Sequence, residues 1–213
     1  MIKNVMFYGD SNTWGYQGDD PTHRLDADKR FTGVVAAQFP DIHFIEEGLC
    51  GRTTCNIDPI DPGRNGMEML PMLLATHDPL DLVIIMLGTN DSKGMYGHSP
   101  FTISEGLDRT IKLIQNPAVW SNTMTKPQIM LVAPPQIGGN IANSVYYGMF
   151  DEKSAELVRA LPARYRALAE KYGCAFVDGS AVTAAKCSDQ VHMVAEEHAV
   201  LATLIADKLR EML

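Results

Sequence analysis

Five short apolar runs recur along the chain, separated by longer stretches with helical periodicity. The runs are Val5-Met6-Phe7-Tyr8, Ile42 to Ile45 with His43 interrupting it, Leu82 to Leu87, Ile129 to Val132 before Pro134-Pro135, and Cys174 to Val177. Leu82-Val83-Ile84-Ile85-Met86-Leu87 is apolar at every position, as a central parallel strand covered on both faces must be. Between the runs, Phe31, Val34, Val35 and Phe39 repeat at helical spacing. So do Ile103, Leu107, Ile111 and Ile114, preceded by Thr102 and Glu105 as a capping box. Leu157, Leu161, Leu168 and Tyr172 form a third stripe, with Pro162 placed to kink or restart that helix. Leu201, Leu204, Ile205 and Leu209 form the last. Met67, Met69 and Met72 suit core filling. Strand–helix alternation predicts an α/β fold, a three-layer sandwich with a five-stranded parallel sheet, and pattern analogy favours a flavodoxin-like order.

Composition adds limits rather than identity. The chain has 213 residues, 46% hydrophobic and 21% charged, which suits one domain over residues 1–213. Lys plus Arg number 18 against 26 Asp plus Glu, a formal charge of −8. That balance argues against a nucleic-acid partner and against an anionic membrane. No apolar run reaches the length of a membrane span. The first motif begins at Gly9 and leaves no room for a signal peptide, which predicts a cytoplasmic protein. Cys50, Cys55, Cys174 and Cys187 then read as free thiols, without zinc-like spacing.

The chemistry lies in loops that follow strands. Gly9-Asp10-Ser11-Asn12-Thr13-Trp14-Gly15 follows the first run, Gly48 to Thr54 the second and Gly88-Thr89-Asn90-Asp91 the third. Ser188-Asp189-Gln190-Val191-His192 lies beyond the fifth. In a parallel sheet all four belong to the carboxyl edge, where open α/β proteins bind ligands. Ser11 in a tight turn can expose a hydroxyl beside backbone N–H groups, or simply cap a helix. Asp189 and His192 can form an oriented carboxylate–imidazole pair, or a surface pair in a loop. Gly51 and Asn90 can supply hydrogen-bond donors, or serve as turn residues. Trp14 can wall a substrate pocket or be ordinary packing, and segment 136–150 can cover the site, form a subunit contact or remain a surface loop.

These four blocks resemble the SGNH (GDSL-like) hydrolase family, named for one Ser, Gly, Asn and His. Gly9 to Gly15, Glu46 to Thr54, Arg64-Asn65-Gly66, Ile84 to Asp91 and Ala133-Pro134-Pro135 resemble its small bacterial arylesterase/acyltransferase branch. The resemblance implies a serine esterase for short acyl or aryl esters, with acyl transfer to alcohols in some relatives. It implies Ser11 as nucleophile, His192 as base and Asp189 as orienter. An oxyanion hole would come from Ser11, Gly51 and Asn90. It implies no cofactor and no metal, a small-molecule ester as partner, and a homo-oligomer, octamers included. The family pattern has Gly after the triad Asp and Leu-Asp after the His, where this chain has Gln190, Met193 and Val194. Two other functions compete. One is a non-catalytic flavodoxin-like domain cradling a phosphate at the Ser11 loop. The other is a metal-dependent phosphoesterase using Asp10, Asp91 and His192, although the first strand lacks a D-x-H pair.

Overall fold

The chain alternates strand and helix, and the computed structural model, which describes residues 2–213, closes that alternation into one five-stranded sheet. The strands are β1 (Asn4–Gly9), β2 (His43–Gly48), β3 (Leu82–Met86), β4 (Gln128–Ala133) and β5 (Ala175–Asp178). All neighbours are parallel, in the order β2-β1-β3-β4-β5. The helices are α1 (Ser11–Trp14), α2 (Phe31–Ala36), α3 (Gly66–Thr76), α4 (Pro100–Ile114), α5 (Glu152–Tyr172) and α6 (Ala195–Met212). This is the expected flavodoxin-like α/β sandwich.

The period of two along each strand decides which layer a side chain joins. Met6, Tyr8, Val83, Ile85 and Leu131 pack with α3, α4 and α5 through Leu74, Leu107 and Leu161. Val5, Phe7, Leu82, Ile84 and Val132 pack on the opposite face with α2 and α6, through Phe31, Val35, Leu201 and Ile205. β3 is buried at every position.

Four local expectations change. The capping box of α4 is Ser99 with Thr102, three residues before the Thr102/Glu105 pair, because Pro100 begins the helix and Ser99 is extended. Helix α5 runs through Pro162 from Glu152 to Tyr172 without restarting. Helix α3, with Pro71 inside it, forms where the sequence has no regular apolar stripe. Besides Gly66 its buried positions are Leu70 and Leu74, one turn apart, so Met67 and Met69 are only half-buried and Met72 is exposed, rather than filling the core. β2 starts one residue later than its apolar run and extends to Gly48, with Glu46 and Glu47 kept on this edge strand by Arg30 and His77.

The register ends β1, β2 and β3 side by side, pairing Gly9 with Gly48 and with Met86. The Ser11, Gly51 and Asn90 loops therefore emerge together.

Candidate active site

Ser11 is the first residue of α1, and Asp10 caps that helix by accepting the Asn12 N–H at 3.1 Å. A four-residue helix directly after a buried strand leaves the Ser11 hydroxyl facing outward from the sheet edge. Across 181 residues of sequence, His192 Nε2 stands 2.8 Å from Ser11 Oγ. His192 Nδ1 stands 2.6 Å from Asp189 Oδ2. Asp189 Oδ1 accepts the Val191 and His192 backbone N–H groups, each at 2.9 Å. The carboxylate thus holds the proton on Nδ1 and leaves the Nε2 lone pair for the hydroxyl. Burial alone would raise the Asp189 pKa. The His192 hydrogen bond and charge, with the two backbone donors, outweigh it and hold the carboxyl at about 2.

Several side chains that carry no motif complete this arrangement. Asn12 ties α1 to the histidine loop, donating to Val191 O at 3.3 Å and accepting from Met193 N at 3.0 Å. The Tyr16 ring lies on the imidazole at 4.3 Å between centroids. Tyr146 meets the same ring edge-on at 5.9 Å, and its hydroxyl donates to the Tyr16 hydroxyl at 3.1 Å. Segment 136–150 therefore covers His192 through Tyr146. It is pinned there by Ser144 Oγ, which donates to Asp189 O at 2.6 Å.

Gln190, where the family pattern has glycine, is in the left-handed region with φ +62°. Its amide compensates by donating to Cys187 O at 2.8 Å and accepting the Asn140 N–H at 3.1 Å. The turn keeps its shape with a different residue, and the cover segment is fastened to it.

Gly18 passes so close beneath the triad carboxylate that a Cβ there would overlap Asp189 Oδ2. Trp14 is half-buried under Arg24, whose guanidinium lies 5.1 Å from the ring centre. It does not line the cavity at Ser11; Tyr16 takes that place.

That cavity, about 180 Å³, is lined by Ser11, Gly51, Asn90 and His192 together with Tyr16, Cys50, Arg64 and Tyr146, among others. Ser11 N–H and Gly51 N–H donate to no protein acceptor among the described residues. The Asn90 amide gives one hydrogen to Arg52 O at 3.2 Å and keeps the other free. Gly51 adopts φ +80°, a turn that admits the close approach of its N–H. All three donors thus border the space in front of the hydroxyl.

Two buried groups hold these donors in register. Arg52 stacks on Tyr8 at 4.3 Å and donates to Gly9 O at 2.9 Å and to Glu47 O, joining the ends of β1 and β2. Asp91 accepts the Thr54 N–H at 3.0 Å and Asn56 Nδ2 at 2.8 Å, joining the Gly51 loop to the Asn90 turn. Burial pushes the Asp91 carboxyl up. Asp10 is likewise pushed up by burial, to about 6, against its Asn12 hydrogen bond and the positive side of His192. Cys50 is pushed up to about 11 by burial, with Asp10 adding to the effect, so it stays a neutral thiol beside the serine. Among the described residues, no three His, Cys, Asp or Glu side chains are grouped to hold a metal ion, so Asp10, Asp91 and His192 do not form a ligand set. No helix among the described residues is long and apolar enough to cross a membrane.

Comparison with known proteins agrees with the geometry. No curated protein matches the chain at a significant level. Among solved structures, a carbohydrate acetylesterase from Sinorhizobium meliloti, Est24, shares 36% identity over 99% of this chain and 100% of its own, with a TM-score of 0.91. The aryl esterase of M. smegmatis shares 34% identity over 99% of this chain and 100% of its own, also with a TM-score of 0.91. A lipase/acylhydrolase from Enterococcus faecalis, 19% identical over 99% of this chain and 97% of its own, shares the fold with a TM-score of 0.69. The profile of the GDSL-like lipase/acylhydrolase family matches residues 7–200, the span that carries every donor and acceptor of this cavity. The protein belongs to that hydrolase family.

Proposed function

We propose that this protein is a serine esterase for short-chain acyl and aryl esters, working through an acyl-enzyme. The observation that carries the proposal is the unbroken path from Ser11 Oγ through His192 to Asp189, at 2.8 and 2.6 Å, opening on a cavity with three convergent donors. Ser11 attacks the ester carbonyl as His192 takes its proton. Asp189, ionised at neutral pH, stabilises the imidazolium. The Ser11 and Gly51 N–H groups and the Asn90 amide hold the oxyanion. His192 then returns the proton to the departing alcohol, and water, activated by the same imidazole, releases the acid.

The cavity, about 180 Å³, is smaller than the roughly 300–1,000 Å³ typical of ligand sites, which favours acetyl and similarly short acyl groups. Tyr16 and Tyr146 cover the imidazole and limit the approach of water. That cover supports acyl transfer to alcohols as a second outcome of the same intermediate. Four free thiols suit a reducing compartment, and we place the protein in the cytoplasm on that ground.

The test pairs covalent labelling with turnover. A fluorophosphonate should add one adduct mass at Ser11, and a panel of nitrophenyl esters should peak at the shortest acyl chains. Ser11→Ala should abolish labelling and lower kcat by about 10⁴-fold or more. Added alcohol should yield transfer product from the wild type. A Ser11→Ala protein with unimpaired turnover would defeat Ser11 as the nucleophile, and a wild type with neither labelling nor turnover would leave a non-catalytic binding domain.

A further inference from the structure

We infer that Arg64 is a specificity residue that selects esters carrying an anionic group. The inference rests on the esterase reading and goes further, to the substrate class. Arg64 lines the cavity with Ser11, Gly51, Asn90 and His192. Its side chain lies across Gly51, since a Cβ on that glycine would stand 3.2 Å from both Cδ and Nε of Arg64. The guanidinium stem therefore borders one of the three oxyanion donors.

The backbone beneath it is fixed. Arg64 O accepts the Thr53 N–H at 2.9 Å and the Thr53 hydroxyl at 3.2 Å, and Asn65 caps α3 directly afterwards. The segment is thus held on both sides of the residue that presents the charge.

Nearby cations are committed elsewhere and Arg64 is not. Lys93, which also lines the cavity, pairs with Asp58 at 3.1 Å. Arg52 donates to Gly9 O and Glu47 O, and Arg24 and Arg30 both meet Glu46. The Arg64 guanidinium has no carboxylate within 4.0 Å and no hydrogen-bond acceptor among the described residues. Asp61 also lines the cavity, but it is exposed at the rim and forms no ion pair with Arg64. A planar fork of donors, half-buried and unneutralised beside the reacting carbonyl, fits a carboxylate or a comparable oxyanion. The carboxylate can sit in the acyl part or in the alcohol part of the ester.

Paired esters separate the two positions. Mono(4-nitrophenyl) succinate carries the anion in the acyl part, and 4-acetoxybenzoate carries it in the alcohol part. Their methyl esters serve as neutral partners, and acetylthiocholine as the cationic contrast. The wild type should favour at least one anion over its methyl ester, and acetylthiocholine least. Charge-assisted hydrogen bonds to a partly buried partner are worth about ten- to hundredfold. Arg64→Met should lower the anionic-to-neutral ratio of kcat/KM by that factor, chiefly through KM, and Arg64→Lys should restore part of it. Rising ionic strength should erode the wild-type preference and leave the Arg64→Met ratio flat. Thermal melting of both variants separates misfolding from lost recognition.

Equal losses on anionic and neutral esters, or a wild-type preference for the cationic ester, would overturn the assignment and leave the esterase standing. A wild type that cleaves none of these esters would bring down both.

Discussion

Asp10 sits one residue before Ser11, and burial holds its pKa at about 6. A carboxyl raised on folding stabilises the protein fully below its unfolded pKa, about 4, and loses that contribution as pH rises through 6. The loss is of the order of 3 kcal/mol, at 1.36 kcal/mol per pKa unit. Asn at this position can still accept the Asn12 N–H. Asp10→Asn should therefore gain in melting temperature over the wild type as pH rises from 4 to 7, and differential scanning across that range checks it. A difference that stays flat with pH would refute the burial argument. Asp189 has the opposite sign: held near 2, it supports the fold above about pH 4 and fails only in stronger acid. Ser11 and His192 stand in short motifs beside strands, and their chemistry is local enough to read in the sequence. Asn12, Tyr16 and Tyr146 act through partners more than a hundred residues away, and Arg52 reaches back to Gly9, so no spacing within the chain announces them.

The connection between α1 and α2 is an element that the apolar pattern leaves blank, and it backs the triad. Gly18 lies in it, against Asp189 Oδ2 and, at 2.5 Å from an added Cβ, Cys187 Sγ. Any side chain there displaces the carboxylate that orients His192. Misplacing a catalytic group by about 1 Å costs on the order of 10²-fold in rate. Gly18→Ala should lower kcat by about that factor while changing KM little, and steady-state kinetics alongside a melting curve checks it. Unchanged kcat in a folded Gly18→Ala protein would show that the connection is only a tether. The strands were legible because each is a bounded apolar run, and β3 is apolar on both faces. Helix α3 was not, because Leu70 and Leu74 are the only two large apolar side chains it buries, among methionines and a proline. The α4 cap lies three residues before the Thr102/Glu105 pair that the spacing predicts, because Thr102 serves as the partner of Ser99.

On the whole molecule, several exposed apolar side chains lie on two loops that reach the carboxyl edge of the sheet. Ile57 and Ile60 lie in the loop after Gly51, and Val145 and Tyr147 in the cover segment. Loops of both kinds reach the cavity, through Asp61 and through Tyr146 and Met149. Patches of this kind on a protein surface mark contact sites. We propose that copies of the chain associate through this edge, and sedimentation equilibrium should return a mass above that of one 23.4 kDa chain. A single-chain mass at micromolar concentration would exclude it. Alternation makes the parallel sheet and the convergence of its loops legible, and analogy with flavodoxin-like folds supplies the strand order, whereas the tyrosine cover and the unpaired Arg64 depend on which side chains meet in space.

The distance in sequence between hydroxyl and imidazole, 181 residues, also sets a clock. During synthesis the serine leaves the ribosome long before its base exists, and during refolding the two meet only once β1 and the α6 end of the chain are both docked. On the proposed mechanism partly assembled forms are chemically silent, and the return of ester cleavage after dilution from denaturant should report the docking of both chain ends rather than the first collapse.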